Sequence, residues 1–137
     1  MSKERIEIQK SYSVEDCKAN PHKFYIFGDN LIHQGCGGQA IIRYCDNAFG
    51  IPTKRLPTMD ESGPENPFFS DQPQEIRRVN MRLATLMVFY DSEEKPTLVF
   101  PLDGIGTGRA QLKERSPEIY KIIKECFENR FDVHIMP

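Results

Sequence analysis

Apolar residues recur along the chain with two periods, and the change of period sorts it into strands and helices. Residues 5–9 alternate, with Ile6 and Ile8 on one side, and predict a short strand, a candidate for a sheet edge. Residues 24–27, Phe-Tyr-Ile-Phe, form a compact apolar run closed by Gly28, Asp29 and Asn30. That pattern predicts a buried strand running into a loop. Residues 97–100, Thr-Leu-Val-Phe, repeat the arrangement and enter a glycine-rich stretch over 103–109. Residues 50–54 resume an extended path, and the alternation over 131–135 predicts a last strand.

Between these lie helical patterns. Ser13 and Asp16 frame a capping-box-like start, and Asn20-Pro21 ends that short helix. Residues 39–47 predict a helix whose Ile41, Ile42 and Cys45 face a core. The longest helix spans 74–90, where Ile76, Val79, Leu83, Leu86, Met87 and Tyr90 form one stripe. Ser116 as N-cap and Pro117 at the first helical position open another, with Ile119, Ile122, Ile123, Cys126 and Phe127 on its apolar face. Strands separated by helices predict an α/β layered fold. Residues 55–73 interrupt the pattern: Pro57, Gly63, Pro64, Pro67 and Pro73 exclude regular structure. A connection of that length is a lid, a binding loop or a mobile segment. Phe68 and Phe69 in its middle either anchor the loop or stack on a ligand.

A chain of 137 residues is one domain's worth, and neither a repeat nor a second domain is visible over 1–137. A charged fraction of 28% with a net charge of −2 excludes a strong general nucleic-acid binder, yet leaves room for one basic cleft. No apolar run is long enough for a membrane span, and residues 1–10 are too polar for a signal peptide. Cys17, Cys36, Cys45 and Cys126 show no C-x-x-C pair and read as reduced thiols of a cytoplasmic protein. His22, His33 and His134 lack metal-ligand spacing, so no metal and no cofactor is expected.

The chemistry concentrates where two apolar strands end in glycine-rich loops. Ligands of open α/β sheets sit beyond the carboxyl ends of strands. Glycines there let amide groups approach phosphate oxygens with no Cβ between. Gly35, Gly37 and Gly38 lead into the helix at Gln39, where the dipole adds attraction for an anion. Gly104, Ile105, Gly106, Thr107 and Gly108 form the second loop, with the Thr107 hydroxyl as donor and Arg109 as charge partner. Alternatively the glycines only make tight turns. Asp29 and Asn30 could bond a ribose or a base edge, or close an Asx-turn, and Asp103 carries the same ambiguity. Lys54 and Arg55 stand where they could neutralise phosphate, and Arg43 is expected to cover the surface. P-loop, G-x-S-x-G and G-x-G-x-x-G signatures are absent at the places they would need to occupy.

Three stretches resemble the macro domains, which bind ADP-ribose, and within them the branch that removes ADP-ribose from acidic side chains. They are Asp29-Asn-Leu with Gly35 to Gly38 and the segment to Phe49-Gly50; Ile51 to Arg55; and Phe100 to Gly108 with Leu112 and the elements after it. The first loop carries additional residues, Ile32 to Gln34. The resemblance implies a three-layer macro-domain-like sandwich, a mixed sheet flanked by helices. It implies a first-loop ligand set of Asp29, Asn30, Gly35, Gly37, Gly38 and Gln39, and a second of Gly104 to Gly108 with Arg109. It further implies Lys54 as the group acting on the distal ribose. That branch's assisting aspartate falls on Ala110, which leaves Asp103 as its substitute. The resulting expectation is a nucleotide cleft for ADP-ribose or an NAD-derived relative, with an ADP-ribosylated macromolecule as the substrate if an ADP-ribosyl bond is hydrolysed. The alternative is a protein-interaction module that uses the long loop as its contact surface.

Overall fold

A computed structural model describes residues 5–137. The single-domain expectation also spans residues 1–4, which lie outside the described residues. The elements run β1 (Ile6–Gln9), α1 (Val14–Ala19), β2 (Lys23–Asn30), a 3-10 turn (Gly38–Ile42), β3 (Ala48–Lys54), α2 (Pro73–Tyr90), β4 (Thr97–Pro101), α3 (Leu112–Arg115) and α4 (Pro117–Phe131). The fold is α/β, with a four-stranded sheet in the order β1-β4-β2-β3.

All three strand pairings are parallel, which corrects the expected mixed sheet. The alternation over 131–135 does not make a strand. Phe131 closes α4, Asp132 turns left-handed at φ 54°, and the Val133 amide bonds back to the Phe127 carbonyl. Val133 and Ile135 are still buried, so the alternation marks a half-buried extended tail. The expected helix over 39–47 is also shorter. It is a five-residue 3-10 turn, followed by turns that bring in Asn47. Asn47 is buried and its amide donates to the carbonyls of Cys17, Asn20 and Lys23, tying α1 to the start of β2.

Alternation along each strand divides the core between the two sheet faces. Ile26, Leu98 and Phe100 pack with α2 and α4, while Tyr25, Phe27 and Val99 pack with Cys17 of α1 and with Ala40 and Ile42 of the 3-10 turn. On the larger face the Phe100 and Phe127 rings meet edge-on at 5.0 Å between centroids. Each such buried aromatic contributes about 1.5–3 kcal/mol, so truncating either ring would cost more than most substitutions available here.

The 55–73 segment is held at several points. Phe68 and Phe69 are buried, and Phe68 forms an isolated antiparallel bridge with Lys54. Arg55 pairs with Glu75, which is 2% exposed, and also donates to Ser70 Oγ at 2.8 Å. Asp71 accepts from the amides of Glu118 at 3.0 Å and Ile119 at 2.9 Å, and so caps α4. Ser116 occupies the expected N-cap position ahead of Pro117, but its hydroxyl bonds Asp71, at 2.7 Å both to the carboxylate and to the amide, and makes no cap bond of its own.

Candidate functional site

The strand order puts a topological switch between β2 and β4. The chain leaves β2 for β3 on one side and returns through α2 to β4 on the other. A crevice opens at the carboxyl ends of strands at such a point. Here it is a cleft of about 570 Å³, within the range of small-molecule sites. Both glycine loops border it: Gly35, Gly37 and Gly38 follow β2, and Gly104, Gly106, Thr107 and Gly108 follow β4.

Both loops carry backbone that needs glycine for geometry at some positions and not at others. Gly104 (φ 78°) and Gly106 (φ 70°) are left-handed, and a Cβ on them would lie 2.9 Å from the Ile135 carbonyl and 2.8 Å from Leu112 respectively. The fold itself demands those two. Gly37 has φ −83° and ψ 146°, open to any residue, and a Cβ there meets no atom within 4 Å. Gly108 is likewise uncrowded. Nothing in the protein's own packing requires glycine at 37 or 108, and both border the cleft.

Amide groups are available on both loops. Among the described residues the N–H groups of Gly35 to Gly38, and those of Ile105 to Gly108, donate to no acceptor of the protein. Residues 35–38 are exposed to solvent, and glycine-rich backbone of this kind at two strand ends bordering one crevice offers amides that can wrap an anion.

The Gln39 side chain ties the loops together. Its Nε2 donates to the Gly104 carbonyl at 2.8 Å, and its Oε1 accepts from the Gly28 amide at 3.0 Å. Asp29 and Asn30 border the cleft with their polar atoms already engaged. The Asp29 carboxylate pairs with Arg43 and lies 2.7 Å from His33 Nδ1. Asn30 donates to the Gln34 carbonyl at 2.8 Å and accepts from the Ile32 and Gln34 amides, so it shapes the first loop. Of the two readings open for this pair, local structure is the one their bonds display. Ile105 is 1% exposed and packs in the core, and it does not border the cleft.

Arg43 does not cover the surface. Its side chain is 6% exposed, pairs with Asp29, and donates to the Gly35 carbonyl at 2.7 Å and the Gln34 carbonyl at 3.2 Å. Arg55 is committed to Glu75 and the long loop and does not border the cleft. Phe68 and Phe69 are core anchors away from the cleft lining.

At the β3 end a bulge shifts the register between Asp29 and Asn30, and consecutive residues Thr53 and Lys54 both reach the cleft. Lys54 is 7% exposed, with its ammonium donating to the Thr58 carbonyl at 2.6 Å. Burial, and then the positive charges of Arg109 and Arg115, hold its pKa below the ordinary lysine range. Asp103 is exposed at the opposite side, where the neighbouring Leu102 amide bonds to Gln9 of β1. Lys10, Ser11 and Tyr12, just past β1, complete that side. No glycine follows β1 before residue 28, so local composition gives no signal for these three residues. Lys10, Arg43, Lys54 and Arg109 outnumber Asp29 and Asp103 around the cleft, so it is locally positive in a chain of net charge −2.

Among the described residues no group of three or more His, Cys, Asp or Glu is placed to hold a metal ion, and no helix is long and apolar enough to cross a membrane. No curated protein and no solved structure matches the chain. The macro-domain resemblance is corrected by the family comparison: the model that matches is not a macro domain, and it covers residues 7–126. Those residues take in all of the sheet but Ile6 of β1, together with both glycine loops, and the chain belongs to that family, a family of unknown function (DUF7831).

Proposed function

We propose that the cleft binds a phosphate-bearing nucleotide, ADP-ribose or a related NAD-derived nucleotide, with its diphosphate between the two glycine loops. The observation that carries this reading is the pair of glycine loops bordering one locally positive crevice, with the amides of Gly35, Gly37, Gly38, Gly106, Thr107 and Gly108 bonded to no acceptor among the described residues. The loops leave adjacent central strands, so an anion between them lies mid-cleft. Four strand ends at a spacing of about 4.8 Å span roughly 14 Å, room for a diphosphate with a group on either side.

Binding is supported better than turnover. Lys54 ends β3 and Asp103 follows β4, with β2 between those strands, and no contact joins the two side chains among the described residues. Calorimetry with ADP-ribose, cyclic ADP-ribose isomers, AMP and pyrophosphate tests the reading. Saturable binding of ADP-ribose in the micromolar range, with pyrophosphate competing, is expected. Silence from all four at millimolar concentration would remove it. Incubation with ADP-ribosylated protein measures any release of ADP-ribose, and release that survives Lys54→Ala would exclude a role for that lysine.

A further inference from the structure

Charge is distributed unevenly along the cleft. At the β1 end one cation, Lys10, and one carboxylate, Asp103, line the cleft, with no ion pair between them among the described residues. At the β3 end Lys54 and Arg109 border the cleft, and among the described residues neither has a carboxylate within ion-pair distance. Arg115 stands behind them, its guanidinium 3.6 Å from the centroid of the Phe68 ring, while the Lys54 ammonium is 4.9 Å from the same centroid. Arg115 is matched by Glu61 at 3.1 Å, a pair that leaves Lys54 and Arg109 uncompensated. A lysine that is 7% exposed and bonded only to a carbonyl and a thioether is costly without a counter-charge. The Arg109 guanidinium makes no hydrogen bond or ion pair within the described residues. The fold thus keeps two cations at one end of the cleft with nothing of its own to neutralise them.

We infer that the ligand carries a second acidic group, a phosphate or carboxylate on the moiety beyond its diphosphate, seated between Lys54 and Arg109. This rests on the nucleotide reading and narrows it to nucleoside diphosphates with an acidic distal group. The amide runs hold the diphosphate, and the two side chains select the distal substituent. Arg109 offers a planar fork for two acid oxygens, and Lys54 a point charge from the cleft wall.

ADP-glucose and ADP-glucuronate differ in one distal carboxylate and make the matched probes, with ADP-ribose as reference. Calorimetry on the full chain should find ADP-glucuronate tighter than ADP-glucose by about ten-fold or more, the size of one charge-assisted contact. Arg109→Gln, at an exposed residue with no hydrogen bond or ion pair among the described residues, should reduce that preference for ADP-glucuronate over ADP-glucose several-fold. Lys54→Met should reduce it further. Equal affinities for the two probes in the parent protein, with ADP-ribose bound, would overturn the inference and leave the nucleotide reading standing. Failure of ADP-ribose and both probes to bind would overturn both.

Discussion

Gly37 and Gly106 border the same cleft and ought to respond to substitution in opposite ways. At Gly106 the backbone is left-handed, and a Cβ would lie 2.8 Å from Leu112 Cδ2 and 3.0 Å from Leu112 Cβ. Any L-residue there costs about 1–2 kcal/mol for the conformation, with the displacement of a fully buried Leu112 in addition. Gly106→Ala is therefore expected to lose about 2–4 kcal/mol of stability. At Gly37 the backbone is extended and the space is open. Gly37→Val should leave stability within about 0.5 kcal/mol, or raise it slightly by restricting the unfolded chain. Its side chain would project where the amides of 35–38 are to meet an anion. Loss of one or two charge-assisted bonds at about 1.5–3 kcal/mol each predicts at least ten-fold weaker ADP-ribose binding. Urea denaturation and calorimetry on the same preparations separate the two effects. A folded Gly37→Val protein that binds ADP-ribose as well as the parent would refute the claim that this glycine is there for the ligand.

Other residues give sharper tests of how the cleft is held. Asp71→Ala removes the cap from α4 and the bond to Ser116, and should cost about 2 kcal/mol in urea denaturation; an unchanged midpoint would count against the remote cap. Arg55→Met leaves the buried Glu75 carboxylate with only its amide donors, at 2.9 Å from Ser70 and 3.2 Å from Gln72. A loss of about 3 kcal/mol is expected, with faster proteolysis across 56–70; Glu75→Gln should cost less. Gln39→Leu unties the glycine loops and should weaken ADP-ribose binding several-fold while costing about 1–3 kcal/mol of stability, since the half-buried Gly28 amide and the carbonyl of the buried Gly104 lose their partner. Lys54 has a folded-state pKa below its unfolded one, so its burial penalty is fully present at pH below the folded value. Stability should rise as pH climbs from there to the ordinary lysine range, and Lys54→Met should flatten that alkaline rise. Affinity for an acidic ligand should move the other way, falling as Lys54 loses its proton.

The two central strands and the long helix were legible because their apolar periods are uninterrupted, and α2 begins at Pro73 within a residue of expectation. β2 was underestimated: Gly28, Asp29 and Asn30 look like loop residues, but β3 pairs with them as far as Asn30 against Lys54. Partnership with a neighbouring strand does not show in local composition. The tail shows the converse, since its alternation is genuine but the backbone finds no strand beside it. At the site, the convergence of the glycine loops followed from strand-end logic. The pairings of Arg43 with Asp29 and of Gln39 with Gly104 span 14 and 65 residues, and no spacing rule reaches that far.

Those pairings also determine which cleft residues are left for a ligand. Asp29 looked like a ribose partner, but its buried carboxylate already balances Arg43, and withdrawing it would leave that guanidinium unmatched beneath the first loop. Asn30 and Gln39 are occupied in the same way by backbone. The donors that remain uncommitted include the two amide runs, Lys10, Arg109, and an ammonium at Lys54 whose partners are all neutral. All of them donate, and all favour negative charge. A cleft whose Asp29, Asn30 and Gln39 are taken up by its own scaffold, leaving Asp103 at one end as a carboxylate acceptor, discriminates mainly by the number and placement of anionic oxygens on its ligand.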